Sequence, residues 1–262
     1  MDFLYAALAV GFGLIVGSFI NALSFRYHTG RGMGGRSRCM RCNAALNAGD
    51  LIPLLSHALL RGRCRHCGSS ISLQYPAVEA VAGLCGYMAW ILHPEPFAFS
   101  VATLVWATLL FVIIYDLRHT VLPTGALVLL GVLGLLSVFV DCVETCRVVA
   151  PSLLALAAGP ILGSPLLFLS LVSRGRWMGW GDGMLAVGMG WLLGLSQGLS
   201  ALLIAFWGGS IAGLSLVLLS RIRARKNAGY TMKSAIPFAP FLALGALIAH
   251  AYSLDILALP LW

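Results

Sequence analysis

The chain has 262 residues, 60% of them hydrophobic and only 10% charged, where a soluble domain carries about 25% charged residues. With a mean hydropathy of +0.92 there is too little polar surface to coat a soluble fold, and stretches such as residues 199–219 are apolar on every face instead of keeping one polar stripe. Lipid is therefore the expected solvent, and the net charge of +8 has to be read from where the basic residues fall.

Eight stretches can cross a hydrocarbon core of about 30 Å: 3–25, 76–92, 97–115, 121–140, 148–172, 183–197, 199–219 and 236–259. The first has no basic residue before its apolar core, so it reads as a retained span instead of a cleaved signal. With the N-terminus outside, the loop 26–75, the turn after Asp116, the turn before Asp182 and the segment 221–233 lie inside. They hold 16 of the 17 Lys and Arg residues, leaving only Arg147 outside. The positive-inside rule favours this arrangement. It also divides 183–219 into a tight hairpin turning near Ser196 and Gln197, because one long helix would carry five basic residues to the outer face. The basic residues thus follow the membrane, with lipid headgroups as partners, and form no aromatic-lined patch of the kind that binds nucleic acid. The expected fold is an all-α polytopic membrane protein of about eight transmembrane helices.

Between the first two spans lies the one sizeable polar segment, with Cys39 and Cys42 in one Cys-x-x-Cys pair and Cys64 and Cys67 in another. Two such pairs separated by 21 residues can present four thiolates to one Zn²⁺. Four protein ligands leave no open position for water, so the zinc is read as structural, standing in for the hydrophobic core that so short a segment lacks. A redox dithiol is the weaker reading, since the loop cannot build a thioredoxin-like fold. His28, His57 and His66 are nearby candidates for supporting roles. Of the other cysteines, Cys85 lies in an apolar run, and Cys142 and Cys146 flank a loop where they can form a disulfide.

The chain has nine acidic residues. Asp2, Glu95, Asp141, Glu144 and Asp255 fall at outer ends or loops and Asp50 in the cysteine loop, where solvation explains them. Asp116 closes the third span and Asp182 opens the sixth, both at the inner face. A carboxylate at the hydrocarbon edge is costly, which makes function the first reading. A salt bridge from Asp116 to Arg118 or Arg174, and a helix N-cap at Asp182, are the alternatives. Gly179, Gly181 and Gly183 surround Asp182 and permit unusual backbone angles and close approach of another backbone, as an extended peptide substrate requires. Two adjacent carboxyls share a proton near neutral pH, so one can activate water while the other polarises a peptide carbonyl.

These residues resemble the type IV prepilin peptidases, aspartyl proteases of the bacterial inner membrane. The likeness runs through Gly17-Ser18-Phe19-Ile20-Asn21, both cysteine pairs with Ile52-Pro53-Leu54-Leu55-Ser56, Tyr75-Pro76-Ala77-Val78-Glu79, Asp116 with Leu122-Pro123, Gly179-Trp180-Gly181-Asp182, and Ile236-Pro237-Phe238-Ala239-Pro240-Phe241. It implies three regions: a first span (1–25), a cytosolic zinc domain (26–75) and a peptidase core (76–262). It further implies that Asp116 and Asp182 are the catalytic pair, and that a prepilin or pseudopilin is cut after a glycine at the cytosolic face. Members with the cysteine loop commonly also methylate the new N-terminal amine with S-adenosylmethionine, although no glycine-rich nucleotide fingerprint stands in this chain. Glu79 belongs to the pattern, either binding that amine or pairing with an arginine of the loop. The chain departs from the pattern at Thr124 and Met184. Two other functions remain as alternatives, a proton-coupled transporter and a non-catalytic assembly platform built on the zinc loop. Relay carboxylates usually lie at mid-membrane in an internally repeated fold, and neither depth nor repeat supports that here.

Overall fold

A computed structural model describes residues 2–27, 35–141, 146–222 and 236–256. His28, Cys142, most of the basic segment 221–233 and the end of the last expected span lie outside the described residues. Packing divides the chain into two units, Met1–Phe111 and Val112–Trp262.

In the first unit α1 (Asp2–Arg26) packs along α3 (Gln74–Leu92). Between lipid-exposed helices association relies on close backbone approach, and small residues provide it. A Cβ at Gly13 would stand 2.4 Å from the Ala82 carbonyl oxygen, and one at Gly86 2.5 Å from that of Ala9. The connection between these helices carries a short 3₁₀ turn (Ala48–Leu51) and α2 (Leu55–Leu59). Helix α4 (Pro96–His119) begins in this unit, with Phe99 against Phe12, and ends in the second.

The second unit is assembled around α7 (Trp180–Ile222), against which α5 (Thr124–Ser137), α6 (Leu153–Ser173) and α8 (Ala239–Ala251) all pack. At 43 residues a straight α7 would be about 64 Å long, twice the hydrocarbon thickness. Gly194 resolves this with φ 74° and ψ 177°, a conformation essentially restricted to glycine. A Cβ on Gly198 would lie 3.7 Å from the Gly190 Cα, where eight residues of straight helix separate the two by about 12 Å. The chain therefore doubles back, and the expected hairpin forms two residues earlier than Ser196.

Five helices, α1, α3, α4, α6 and α7, are long and apolar enough to cross a membrane. With the two limbs of α7 counted separately, and with α5 and α8, the described residues hold eight apolar helical segments, as the sequence implied. Helices α5 and α8 are shorter than expected. Val140 leaves α5 to pair with Val148, and Asp141 with Arg147, in a two-stranded hairpin; α8 is helical only from Ala239 to Ala251. Cys146 is disulfide-bonded. Helix α6 contains Pro160, which has no N–H to give the Leu156 carbonyl. The Trp191 indole N–H donates to that oxygen instead, at 2.8 Å, so a freed backbone group inside the membrane is satisfied by the neighbouring helix.

Candidate active site and metal centre

The four cysteines converge. Each pair is closed by one antiparallel bridge, Arg38 with Ala45 and Arg63 with Ser70. Within the knuckles Cys39 N–H donates to Ala44 O and Asn43 N–H to Cys39 O, as Cys64 N–H does to Ser69 O and Gly68 N–H to Cys64 O. Asn43 and Gly68 occupy equivalent positions at φ 57° and 66°, which glycine adopts without strain. The Sγ atoms of Cys39, Cys42, Cys64 and Cys67 all lie within 4.8 Å of one another, Cys39 and Cys67 being 3.9 Å apart. Thiolates bonded at ~2.3 Å to a tetrahedral Zn²⁺ would be about 3.8 Å apart, so the donor set fits that ion.

Backbone hydrogen bonds from Cys42 and Arg41 lower the Cys39 thiol to about 6, and bonds from the Ser69 side chain and backbone lower Cys67. Cys42 accepts a backbone bond from Ala44, but burial and its thiol neighbours raise it to about 11. Thiols that share protons in this way give them up together to a cation. His57 and His66 contribute no donor to the cluster.

Two other polar residues fix the module. Asp50, expected in solvent, is buried. Its carboxylate accepts from the Arg65 guanidinium at 2.9 Å and from the Asn47 N–H at 3.2 Å, and Arg65 holds it below the usual carboxylate range. Glu79, also buried, accepts a 2.8 Å bond from the Leu54 N–H. Leu54 starts α2 at φ 59° and ψ −47°, so this bond holds a strained residue. The partner is a backbone amide, where the sequence offered an arginine or a substrate amine. Asn21, on α1, donates to the Tyr75 carbonyl at 3.1 Å.

The aspartates lie in the second unit. Asp116, in the last turn of α4, is 5% exposed, and its Oδ2 accepts from the Ala239 N–H, the first residue of α8, at 3.2 Å. Asp182 stands in the first turn of α7 and accepts from the Gly179 N–H just ahead of that helix at 3.2 Å. Both carboxyls therefore take a free N–H at a helix N-terminus, where the helix dipole favours negative charge. Asp182 sits inside the first turn and not at the N-cap position. Leu122, six residues after Asp116, lies against Gly181, the neighbour of Asp182, so the end of α4 and the start of α7 come together.

None of Gly179, Gly181 and Gly183 has a positive φ, so the unusual backbone angles expected there are not used. Close approach is used. A Cβ on Gly181 would stand 2.8 Å from Leu122 Cβ, and one on Gly183 2.6 Å from Leu167 Cδ2. The glycines bring the α7 N-terminus, and Asp182 with it, against Leu122 and α6. The Ala239 N–H donor carried no sequence signal beyond the proline-rich start of α8.

A model described as the bacterial peptidase A24 N-terminal domain matches residues 12–93, the stretch that holds both knuckles, Asn21 and Glu79. The prepilin leader peptidase/N-methyltransferase of Burkholderia pseudomallei strain K96243 is 31% identical across 91% of this chain and 82% of its own length. The chain belongs to the prepilin leader peptidase/N-methyltransferase family. The family member of Aeromonas salmonicida strain A449 is 30% identical across 95% of this chain and 91% of its own. That of Bacillus subtilis strain 168 is 28% identical across 94% of each. No solved structure matches the chain.

Proposed function

We propose that this family member is a membrane-embedded aspartyl endopeptidase that removes the short basic leader of a prepilin or pseudopilin after a glycine. It then methylates the exposed amine with S-adenosylmethionine. The observation that carries the reading is the placement of Asp116 and Asp182, each carboxyl accepting from an N–H at a helix N-terminus, with Leu122, six residues after Asp116, against Gly181 beside Asp182. In the reaction the ionised carboxyl takes a proton from water as the water oxygen attacks the scissile carbonyl carbon. The protonated carboxyl gives its proton to the carbonyl oxygen. Collapse of the tetrahedral intermediate breaks the C–N bond; the departing amine takes a proton from one carboxyl while a hydroxyl of the diol returns its proton to the other, which restores the shared proton.

Substrate contacts are assigned to the backbone around Gly179, Gly181 and Gly183, with Glu79 carried as a candidate for the new amine. The module Cys39–Cys42–Cys64–Cys67 holds a structural zinc. The basic loops favour the cytosolic side of the inner membrane for it, with the N-terminus outside. Residues 1–25, 26–75 and 76–262 then serve as first span, zinc domain and peptidase core.

Incubating the purified protein with a prepilin, with and without S-adenosylmethionine, and weighing the product's N-terminus tests each activity separately. Cleavage should disappear in both Asp116→Asn and Asp182→Asn, whereas Cys64→Ser should chiefly lower stability or methylation. An active Asp182→Asn protein would sink the peptidase reading. An assembly platform would show the opposite order, with both aspartate variants functional and Cys64→Ser dead.

A further inference from the structure

The cysteine module is built twice over, and its halves share more than their cysteines. A shift of 25 residues aligns Arg36-Ser37-Arg38-Cys39-Met40-Arg41-Cys42 with Arg61-Gly62-Arg63-Cys64-Arg65-His66-Cys67. The same shift relates the two bridges, and it relates the bond from Leu46 N–H to Ser37 O to that from Ile71 N–H to Gly62 O. Each half therefore sets two arginines just ahead of its first cysteine. All four, Arg36, Arg38, Arg61 and Arg63, are exposed, and the metal cluster uses none of them.

Between the halves runs an apolar surface that water does not favour. Leu55 and Leu59, one turn apart on α2, are 51% and 73% exposed, and Leu51 and Ile52 just before them are exposed too. Such a surface beside a basic cluster is the pattern of a segment lying in a membrane interface.

The module's height fits. Glu79 is the sixth residue of α3, about 7.5 Å along the helix from its start, and it binds the Leu54 N–H that opens α2. The α2 segment is thus drawn down beside a transmembrane helix. Leu51 and Pro53 share a groove of about 460 Å³ with Ile15, Phe19 and Arg26 of α1. Ile15 lies 11 residues before the end of α1, about 16 Å into it, and Ile15 and Phe19 are exposed residues of a span.

We propose that the module is a lipid-reading element, with Leu51, Ile52, Leu55 and Leu59 lying in the headgroup boundary while Arg36, Arg38, Arg61 and Arg63 take anionic lipid phosphates. The occupant is an anionic phospholipid surface because the exposed apolar side chains adjoin a groove shared with Ile15 and Phe19, exposed residues of a span, while Arg26 and Ser37, which lies between Arg36 and Arg38, line the same groove. An acidic protein would need only the cations. The inference does not depend on the peptidase reading.

The test uses the full chain in nanodiscs of phosphatidylcholine alone, or with about 30% phosphatidylglycerol, reading hydrogen exchange of the amides between residues 48 and 60 at low salt. Exchange should be slower by on the order of fivefold or more in the anionic discs, since each arginine near such a surface adds about that factor to the docked population. The difference should vanish in R36Q/R38Q/R61Q/R63Q at unchanged metal content. If that variant loses its metal, R36Q/R38Q and R61Q/R63Q separately carry the test, each losing part of the response. Equal exchange in the two discs, or arginine variants that respond as the parent does, would overturn the proposal. Equal exchange is also what an acidic protein partner predicts.

Discussion

Removing the Glu79 carboxylate should loosen the cysteine module while leaving α1 and α3 packed. Glu79 is 7% exposed and its carboxylate accepts a 2.8 Å bond from Leu54, whose backbone at φ 59° and ψ −47° costs about 1–3 kcal/mol to maintain. A hydrogen bond to a charged acceptor contributes about 1.5–3 kcal/mol, so Glu79→Ala should raise the open population of the loop by about tenfold to a hundredfold. Glu79→Gln keeps an acceptor oxygen and loses only the charge assistance, about 1 kcal/mol or fivefold. The readout is the rate of trypsin cleavage after Arg61 and Arg63 in detergent micelles with zinc present, in the order Ala, Gln, parent from fastest to slowest. Glu79→Ala cut no faster than the parent would refute the reasoning. If that variant also lost methyl transfer, Glu79 would return to the substrate.

Gly194 sits where only glycine is at ease, so Gly194→Ala should destabilise the α7 hairpin by about 1–3 kcal/mol, seen as a lower thermal midpoint with the zinc module still closed. The Asp50 carboxyl is lowered by Arg65, so the pair's contribution is fully present above the ordinary carboxylate range and is lost as pH falls through the lowered value. Loop opening measured by hydrogen exchange should therefore rise on acidification from pH 5 to about pH 3, and Asp50→Asn, open at every pH, should show a flatter profile. Stripping the metal with a chelator should expose the thiols of Cys39, Cys42, Cys64 and Cys67 to alkylation together, whereas Cys85, half-buried in α3, should react no faster than before.

Composition, periodicity and charge bias made the membrane class, the succession of apolar helical segments and the hairpin in α7 legible, because burial in lipid acts on whole segments. The metal cluster was legible for a different reason: two Cys-x-x-Cys pairs leave few other uses for four thiols. What the sequence hid lies in contacts between backbone groups and distant side chains. Nothing in the run around Leu54 announces a positive φ, and nothing in Asp50 distinguishes it from a solvated loop aspartate until Arg65 is folded against it. Pro160 looks like a helix breaker until Trp191 supplies the missing donor. The glycines around Asp182 were legible as places of close approach, but sequence does not say what approaches, and the answer within the chain is Leu122 and Leu167.

One substitution can separate the contact Asp116 makes from the role the proposed reaction gives it. Its carboxyl anchors the first N–H of α8, a group that no residue within the helix can satisfy, and under the proposed reaction it also exchanges a proton beside Asp182. Asn has an oxygen for the first task and no proton chemistry for the second. Asp116→Asn should therefore keep α8 docked, with a thermal midpoint close to the parent's, and abolish cleavage. Asp116→Ala leaves the Ala239 N–H buried without an acceptor, at a cost of about 1–3 kcal/mol, and should lose stability as well as activity. Equal stability of the two variants would show that the bond to Ala239 contributes nothing to holding α8. Asp116→Asn with parental cleavage would remove Asp116 from the chemistry while leaving its structural task intact.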